Sequence, residues 1–225
     1  MKTIDFTLII KEGRKELRVD FDKVLAVGFA GRDQVKAMEH IHELEKLGVK
    51  APESIPVLYP VADLLVTDED YIQVLGDKSS GEAEFLIILQ GGKIYIGLGS
   101  DHTDRDLESV SIAKSKQICA KPLSNEVWLY DEVKDHWDEL KLVSWQVQNE
   151  KEVKYQEGKV SEILRVEKII EEVSKTYSDT DNMIMFSGTV PLLDGFVYGD
   201  SFRCELQDEV LQRKIAHEYK VEVLG

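Results

Sequence analysis

Residues 85 to 98 leave little room for anything but a β-hairpin. The apolar run Phe85-Leu-Ile-Ile-Leu89 is followed by Gln90-Gly-Gly-Lys93 and then by Ile94-Tyr-Ile-Gly-Leu98. Paired glycines make a tight turn, and an apolar stretch on either side returns the chain antiparallel. What stands at the open end gives the hairpin its interest. Side chains alternate between faces of a strand, so Glu82 and Glu84 project from one face while Ala83 points the other way. Asp101, inside Gly97-Leu-Gly-Ser-Asp-His-Thr-Asp-Arg-Asp106, is carried back toward them by the second strand. Three oxygen ligands without sulfur favour Mg2+, Mn2+ or Ca2+ over Zn2+, and they leave coordination positions for water and substrate. A surface strand with acids outward is the plain alternative in so acidic a chain, and on the triplet alone the two readings weigh equally.

That acidity excludes other roles. The 225 residues carry 43 Asp and Glu against 28 Lys and Arg, a formal charge of -15. Phosphate contacts need clustered basic residues, so neither nucleic acid nor an anionic membrane is an expected partner. A small anionic substrate fits only where a metal ion and local Lys or Arg reverse the field. The first ten residues do not read as a signal peptide, and no apolar stretch approaches the roughly 18 residues of a membrane span. Cys119 and Cys204 have neither metal-ligand spacing nor the density of a disulfide scaffold, so a cytoplasmic location is expected. The length fits one domain over 1–225, opening on an N-terminal hairpin region over 1–30.

The hydrophobic pattern orders the rest. Residues 3–10 and 16–22 alternate apolar with polar around Lys11-Glu-Gly-Arg14, a hairpin. Val35, Met38, Ile41, Leu44 and Leu47 then recur every third residue, predicting an amphipathic helix over 33–47 with Gly48 after it. Two prolines keep 51–56 irregular before a strand at 57–59. A short helix is expected over 105–115, strands over 126–130, 140–147 and 151–157, and a helix over 161–177. Strands at 183–186, 201–206 and 216–224 close the chain.

Further groups could carry chemistry. His40 and Glu43 lie three apart on the expected helix, so a carboxylate can orient an imidazole that acts as a general base, although such pairs on an exposed face are usually only solvated. Lys114, Lys116 and Lys121 follow Asp101 closely, and one of them could meet a substrate anion. Gly188-Thr-Val-Pro191 could aim the Thr189 hydroxyl at an anion, or be a simple turn. Arg32 and Arg105 could bind a carboxylate or brace loops. His42, His136 and His217 read as surface or structural.

These pieces, in this order, resemble the fumarylacetoacetate hydrolase superfamily over most of the chain. His40-Ile-His-Glu43 is similar to that family's early His-x-x-Glu, Glu82-Ala-Glu84 to its Glu-x-Glu metal motif, and Ser100-Asp-His-Thr-Asp-Arg-Asp106 to its Asn-Asp-x-(Ser/Thr)-x-Arg-Asp. Ala113-Lys-Ser115, Tyr155-Gln-Glu-Gly158, Ser187-Gly-Thr-Val-Pro191 and Gly199-Asp200 match later segments. The resemblance implies an α+β fold, a mixed β-roll of barrel-like form with flanking helices. It also implies a homodimer and Mg2+ or Mn2+ held by Glu82, Glu84 and Asp101. Ser100 stands where the family has Asn, and Gly28-Phe-Ala-Gly-Arg-Asp33 replaces Gly-x-Asn-Tyr, which marks a divergent branch with an altered pocket.

The leading expectation is a metal-dependent hydrolase that cleaves a carbon-carbon bond in acylpyruvate-like 2-oxo acids. His40, oriented by Glu43, would activate water, while Lys114, Thr189, Gln156, Arg32 and Arg105 would bind the substrate. Decarboxylation, tautomerisation or hydration of a 2-oxo acid on the same metal is the second reading. A non-catalytic metal-bound binding protein is the third.

Overall fold

The hairpin forms the middle of the main sheet. The computed structural model describes residues 1–35, 38, 52 and 54–224. In it Ala83–Gln90 and Lys93–Ser100 pair antiparallel, with Gly91 and Gly92 turning at φ 59° and 70°. Eight strands lie in the spatial order Gly13–Phe21, Lys2–Ile10, Glu126–Leu129, Lys93–Ser100, Ala83–Gln90, Met183–Phe186, Lys23–Gly28 and Val57–Val61. A second sheet orders Lys151–Lys159, Lys141–Gln148, Ser201–Asp208, Arg213–Leu224 and Tyr71–Leu75. The result is an α+β fold dominated by strands, its main sheet curled into a half-barrel.

The curl follows from burial on both faces. Phe85 and Ile87 share one apolar cluster with Leu142, Phe202, Leu206 and Ile215 of the second sheet, and with Val166, Ile169 and Val173 of the helix Val166–Ser174. Their neighbours Leu86 and Ile88 join another cluster with Ile4, Phe21, Val24 and Val61, which belong to strands near the two ends of the same sheet. Ends meet the centre only if the sheet closes on itself, and a strand apolar on both faces is what that requires. Glu84 has the parity of Leu86 and Ile88, so it faces the inside of the curl.

Several expectations shift when tertiary pairing overrides local pattern. The helix expected from 161 begins at Val166. Before it, Val160–Glu162 forms a 3-10 turn, Ile163 bridges Gly31, and Leu164 donates to the Ala30 carbonyl at 2.8 Å. That backbone pairing outcompetes propagation of the helix. The helix expected over 105–115 divides into Arg105–Glu108, capped by the Asp104 side chain on the Leu107 N–H, and Ile112–Gln117. Lys23–Gly28 and Tyr71–Leu75 are strands that the pattern did not single out. Of the helix expected over 33–47, Asp33 is not helical, Gln34, Val35 and Met38 are, and the rest, with His40, His42 and Glu43, lies outside the described residues. Among the described residues no helix is long and apolar enough to cross a membrane.

Candidate metal centre

Register brings the three acids together. Ala83 pairs with Ser100 and Glu84 with Gly99, so the next rung sets Glu82 across from Asp101, whose N–H donates to the Glu82 carbonyl at 3.1 Å. Like charges directly opposed weaken a ladder unless something positive lies between them. Glu84 shares their face, and carboxylate oxygens of Glu82, Glu84 and Asp101 lie within 4.8 Å of one another. Glycine faces Glu84 for a steric reason, since a Cβ at position 99 would stand 2.9 Å from Phe186 Cε1 and 3.0 Å from the Pro122 carbonyl.

Three cations answer the acids. Lys116, only 6% exposed, hydrogen-bonds Asp101 Oδ2 and stands 3.5 Å from Glu82 Oε2. Lys121, fully buried, lies 3.3 Å from Asp101 Oδ1 and donates to the carbonyls of His102 at 2.7 Å and Cys119 at 3.0 Å. Arg105 pairs with Glu82 at 3.1 Å and Glu108 at 2.9 Å, with its Nε on Ser80 Oγ at 2.8 Å. The Gly188 N–H donates to Glu84 Oε2 at 2.9 Å.

The electrostatics are divided between neighbouring acids. Burial and the charge of Asp101 push Glu84 well above the usual carboxylate range, against the pull of Lys116 and the Gly188 N–H. Burial would raise Asp101 as well, yet the ammonium groups of Lys116 and Lys121 outweigh it and hold that acid low. Lys116 is raised, because Asp101, Glu82 and Glu84 outweigh the cost of burying its charge. Two features therefore fit a further cation. Asp101 Oδ1 is buried and meets only the Lys121 ammonium, 3.3 Å away and poorly aligned for a hydrogen bond, and Glu84 is held against ionisation by its surroundings. With carboxylate oxygens alone as donors, the set suits a hard divalent ion.

A buried relay backs the third acid. Ser79 Oγ meets His102 Nε2 at 2.9 Å, His102 Nδ1 meets the Tyr219 hydroxyl at 2.9 Å, and Tyr219 meets Ser100 Oγ at 2.8 Å. Ser100 Oγ in turn accepts the Glu82 N–H at 3.2 Å. Burial, with Lys121 and Arg105 nearby, lowers His102 to about 3, so the ring is neutral. Both residues flanking Asp101 are thus tied to one hydroxyl. Tyr219→Phe is expected to weaken Mn2+ binding by up to about tenfold, the low end of the scale for groups that bond a ligand directly, because Tyr219 acts through the neighbours of Asp101. Titration calorimetry of the variant checks this, and an unchanged affinity would reduce Tyr219 to a packing residue.

The other expected site residues divide by place. Lys114 is exposed on its helix, and the lysine that meets the triad is Lys116, two residues on. Gln156 is fully buried and spends its amide internally. Its oxygen accepts from the Ala83 N–H at 3.0 Å and Ser144 Oγ at 2.9 Å, and its nitrogen donates to Thr189 Oγ1 at 2.7 Å and the Val190 carbonyl at 2.8 Å. Thr189 donates to the Ala83 carbonyl at 2.6 Å. Arg32 pairs with Asp138 at 2.9 Å and donates to the Ile163 carbonyl at 3.0 Å. With Thr189 and Pro191 it lines a cavity of about 740 Å3. Lys121, one of the three lysines that could meet a substrate anion, is instead buried against Asp101, and His102 and Tyr219 are site neighbours that nothing local in the sequence marks. His136 bonds Asp208 at 3.0 Å, a structural pairing as expected.

Residues 27–219 match the model of a family described as a protein of unknown function, DUF2848. No curated protein matches the chain. Solved structures do match in fold. Cg1458 with inhibitor is 18% identical at TM-score 0.67, over 95% of this chain and 81% of that one. A 2-keto-3-deoxy-D-arabinonate dehydratase complexed with magnesium and 2,5-dioxopentanoate is 16% identical at TM-score 0.63, over 96% and 79%. The 4-oxalocrotonate decarboxylase from Pseudomonas putida G7, complexed with calcium and acetate, is 13% identical at TM-score 0.60, over 90% and 78%.

Proposed function

From the premise that the chain belongs to the DUF2848 family and has the fold of the fumarylacetoacetate hydrolase superfamily, we propose that it is a divalent-cation-dependent enzyme acting on 2-oxo acids. The convergence of Glu82, Glu84 and Asp101 within 4.8 Å carries the proposal. Mg2+ or Mn2+ suits the donor set, with Ca2+ a third candidate, and the magnesium and calcium complexes of similarly folded enzymes support that assignment. When bound, the cation supplies Lewis-acid polarisation of the 2-oxo and carboxylate oxygens.

The chain's own residues do the rest. Arg105 and the Gly188 N–H fix Glu82 and Glu84, and Lys121 with Lys116 fixes Asp101. Lys116 keeps a positive charge beside the place where negative charge develops on the substrate, an electrostatic role that works best where water is excluded. For carbon-carbon hydrolysis of an acylpyruvate, His40 would take the proton from water and Glu43 would orient the ring, with Arg32 a candidate for a substrate carboxylate. Decarboxylation needs the electron sink but no nucleophilic water, whereas dehydration of a 2-keto-3-deoxy acid needs a base only for the proton beside the 2-oxo group. The dehydratase and decarboxylase among the similar folds favour this second reading.

A panel of acylpyruvates, 2-keto-3-deoxy acids and oxaloacetate, followed with Mg2+ or Mn2+ and again after chelation, tests both. Cation-dependent release of pyruvate and a second acid, lost in His40→Ala, establishes the hydrolase. Cation-dependent dehydration, or decarboxylation that survives His40→Ala, establishes the lyase. Cation binding without any turnover moves the protein to a binding role.

A further inference from the structure

The way into the site is set by unequal burial. Glu84 and Asp101 are 2% and 1% exposed, whereas the side chain of Glu82 is 17% exposed. A ligand therefore reaches the triad from the Glu82 side. Arg105 holds Glu82 there, itself almost entirely covered, and the ring of Phe196 lies over its guanidinium, 4.9 Å from ring centre to Cζ.

Phe196 belongs to the segment joining the strands Met183–Phe186 and Ser201–Asp208, and that segment is pinned against the ligand-bearing strand. Gly188 bonds Glu84, Thr189 bonds the Ala83 carbonyl, and the Leu193 N–H donates to the Tyr155 carbonyl at 2.9 Å. Despite this anchoring Phe196 remains 52% exposed, and Tyr198 stands nearly parallel to it, with 6.4 Å between centroids and 16° between planes. One side of the Phe196 ring is occupied by a guanidinium fixed to a metal ligand. With Tyr198 stacked beside it, the half of Phe196 that stays exposed lies one ion pair, that of Arg105 with Glu82, from the open side of the triad.

We infer that Phe196, with Tyr198 beside it, is the subsite for the distal end of the substrate, and that this end is a planar, apolar group such as an aryl or conjugated acyl substituent. This rests on the 2-oxo acid reading above. A carboxylate and 2-oxo group held at the triad leave the rest of the molecule directed outward, past Glu82 and Arg105. A flat ring gains from stacking on another beyond simple area burial, whereas a short alkyl tail gains little. A guanidinium beneath Phe196 adds to the ring's rigidity at no cost to its free side.

The test compares binding of phenylpyruvate and pyruvate to the Mn2+-loaded protein by calorimetry. The parent is expected to bind phenylpyruvate at least about fivefold more tightly, in line with one aromatic stacking contact. Phe196→Ala should bring that ratio close to one while pyruvate binding stays within about twofold of the parent, and Phe196→Tyr should retain the preference. Pyruvate binding with the same preference in Phe196→Ala would overturn the inference alone. Failure of both acids to bind a protein that takes up Mn2+ would overturn the 2-oxo acid reading, and this inference with it.

Discussion

Replacing Glu84 by Gln is expected to raise the melting temperature of the metal-free protein at neutral pH and to abolish its rise on adding Mn2+ or Mg2+. The two effects share one cause. Burial and the charge of Asp101 hold Glu84 well above its ordinary range, so the folded state binds a proton there more readily than the unfolded chain does. Such a group contributes stability that is complete below the unfolded carboxylate range, near 4.5, and is lost as pH rises through the folded value. The metal-free parent thus carries a penalty at neutral pH that a neutral amide removes, and the Gln oxygen can still accept the Gly188 N–H. The same substitution removes one of the three carboxylates proposed to hold the cation. A cation at one hundred times its dissociation constant stabilises the native state by about 2.7 kcal/mol, worth roughly 5 to 10 °C for a chain of this size. Differential scanning calorimetry at several pH values, with and without cation, reads both arms. A full cation-induced shift in the variant would remove Glu84 from the ligand set.

Gln156→Leu should be the costliest single change outside the apolar core. Its amide joins the strand Ala83–Gln90, at the Ala83 N–H, to Ser144 of the second sheet and to Thr189 and Val190 of the segment that caps Glu84. Leucine matches the volume but orphans buried partners, and each unsatisfied group costs about 1 to 3 kcal/mol. A loss of roughly 3 to 5 kcal/mol in urea denaturation is expected, at the upper end for point mutations. Cation affinity should fall with it, because Ala83 lies between two of the acids. A loss below about 1 kcal/mol would mean that water replaces the amide.

The legible part of this protein was the part governed by short-range period. Alternation places Glu82 and Glu84 on one face, and the paired glycines return Asp101 to them, so the triad is legible in a few adjacent residues. The strand Lys141–Gln148 and the opening hairpin were read the same way, and the order of motifs carried the fold. Boundaries failed where a distant strand competed. The helix expected from 161 lost its first turn to the pairing of Ile163 and Leu164 with Gly31 and Ala30, a contact across more than 130 residues. Lys114 and Lys116 were indistinguishable because two positions on a short helix differ only in which way the helix is docked.

The sequence by itself determined the hairpin, its three acids and the kind of ion they suit, since side-chain alternation and a glycine turn are properties of a few adjacent residues. Only the tertiary structure decided which charges balance the acids and which groups stand behind them. Lys121 is buried against Asp101, and Tyr219 reaches Ser100 and His102 from a strand 117 to 119 residues further on. Phe196 covers Arg105 for the same reason. Such contacts come from how the curled sheet meets its partner, and no local period records them.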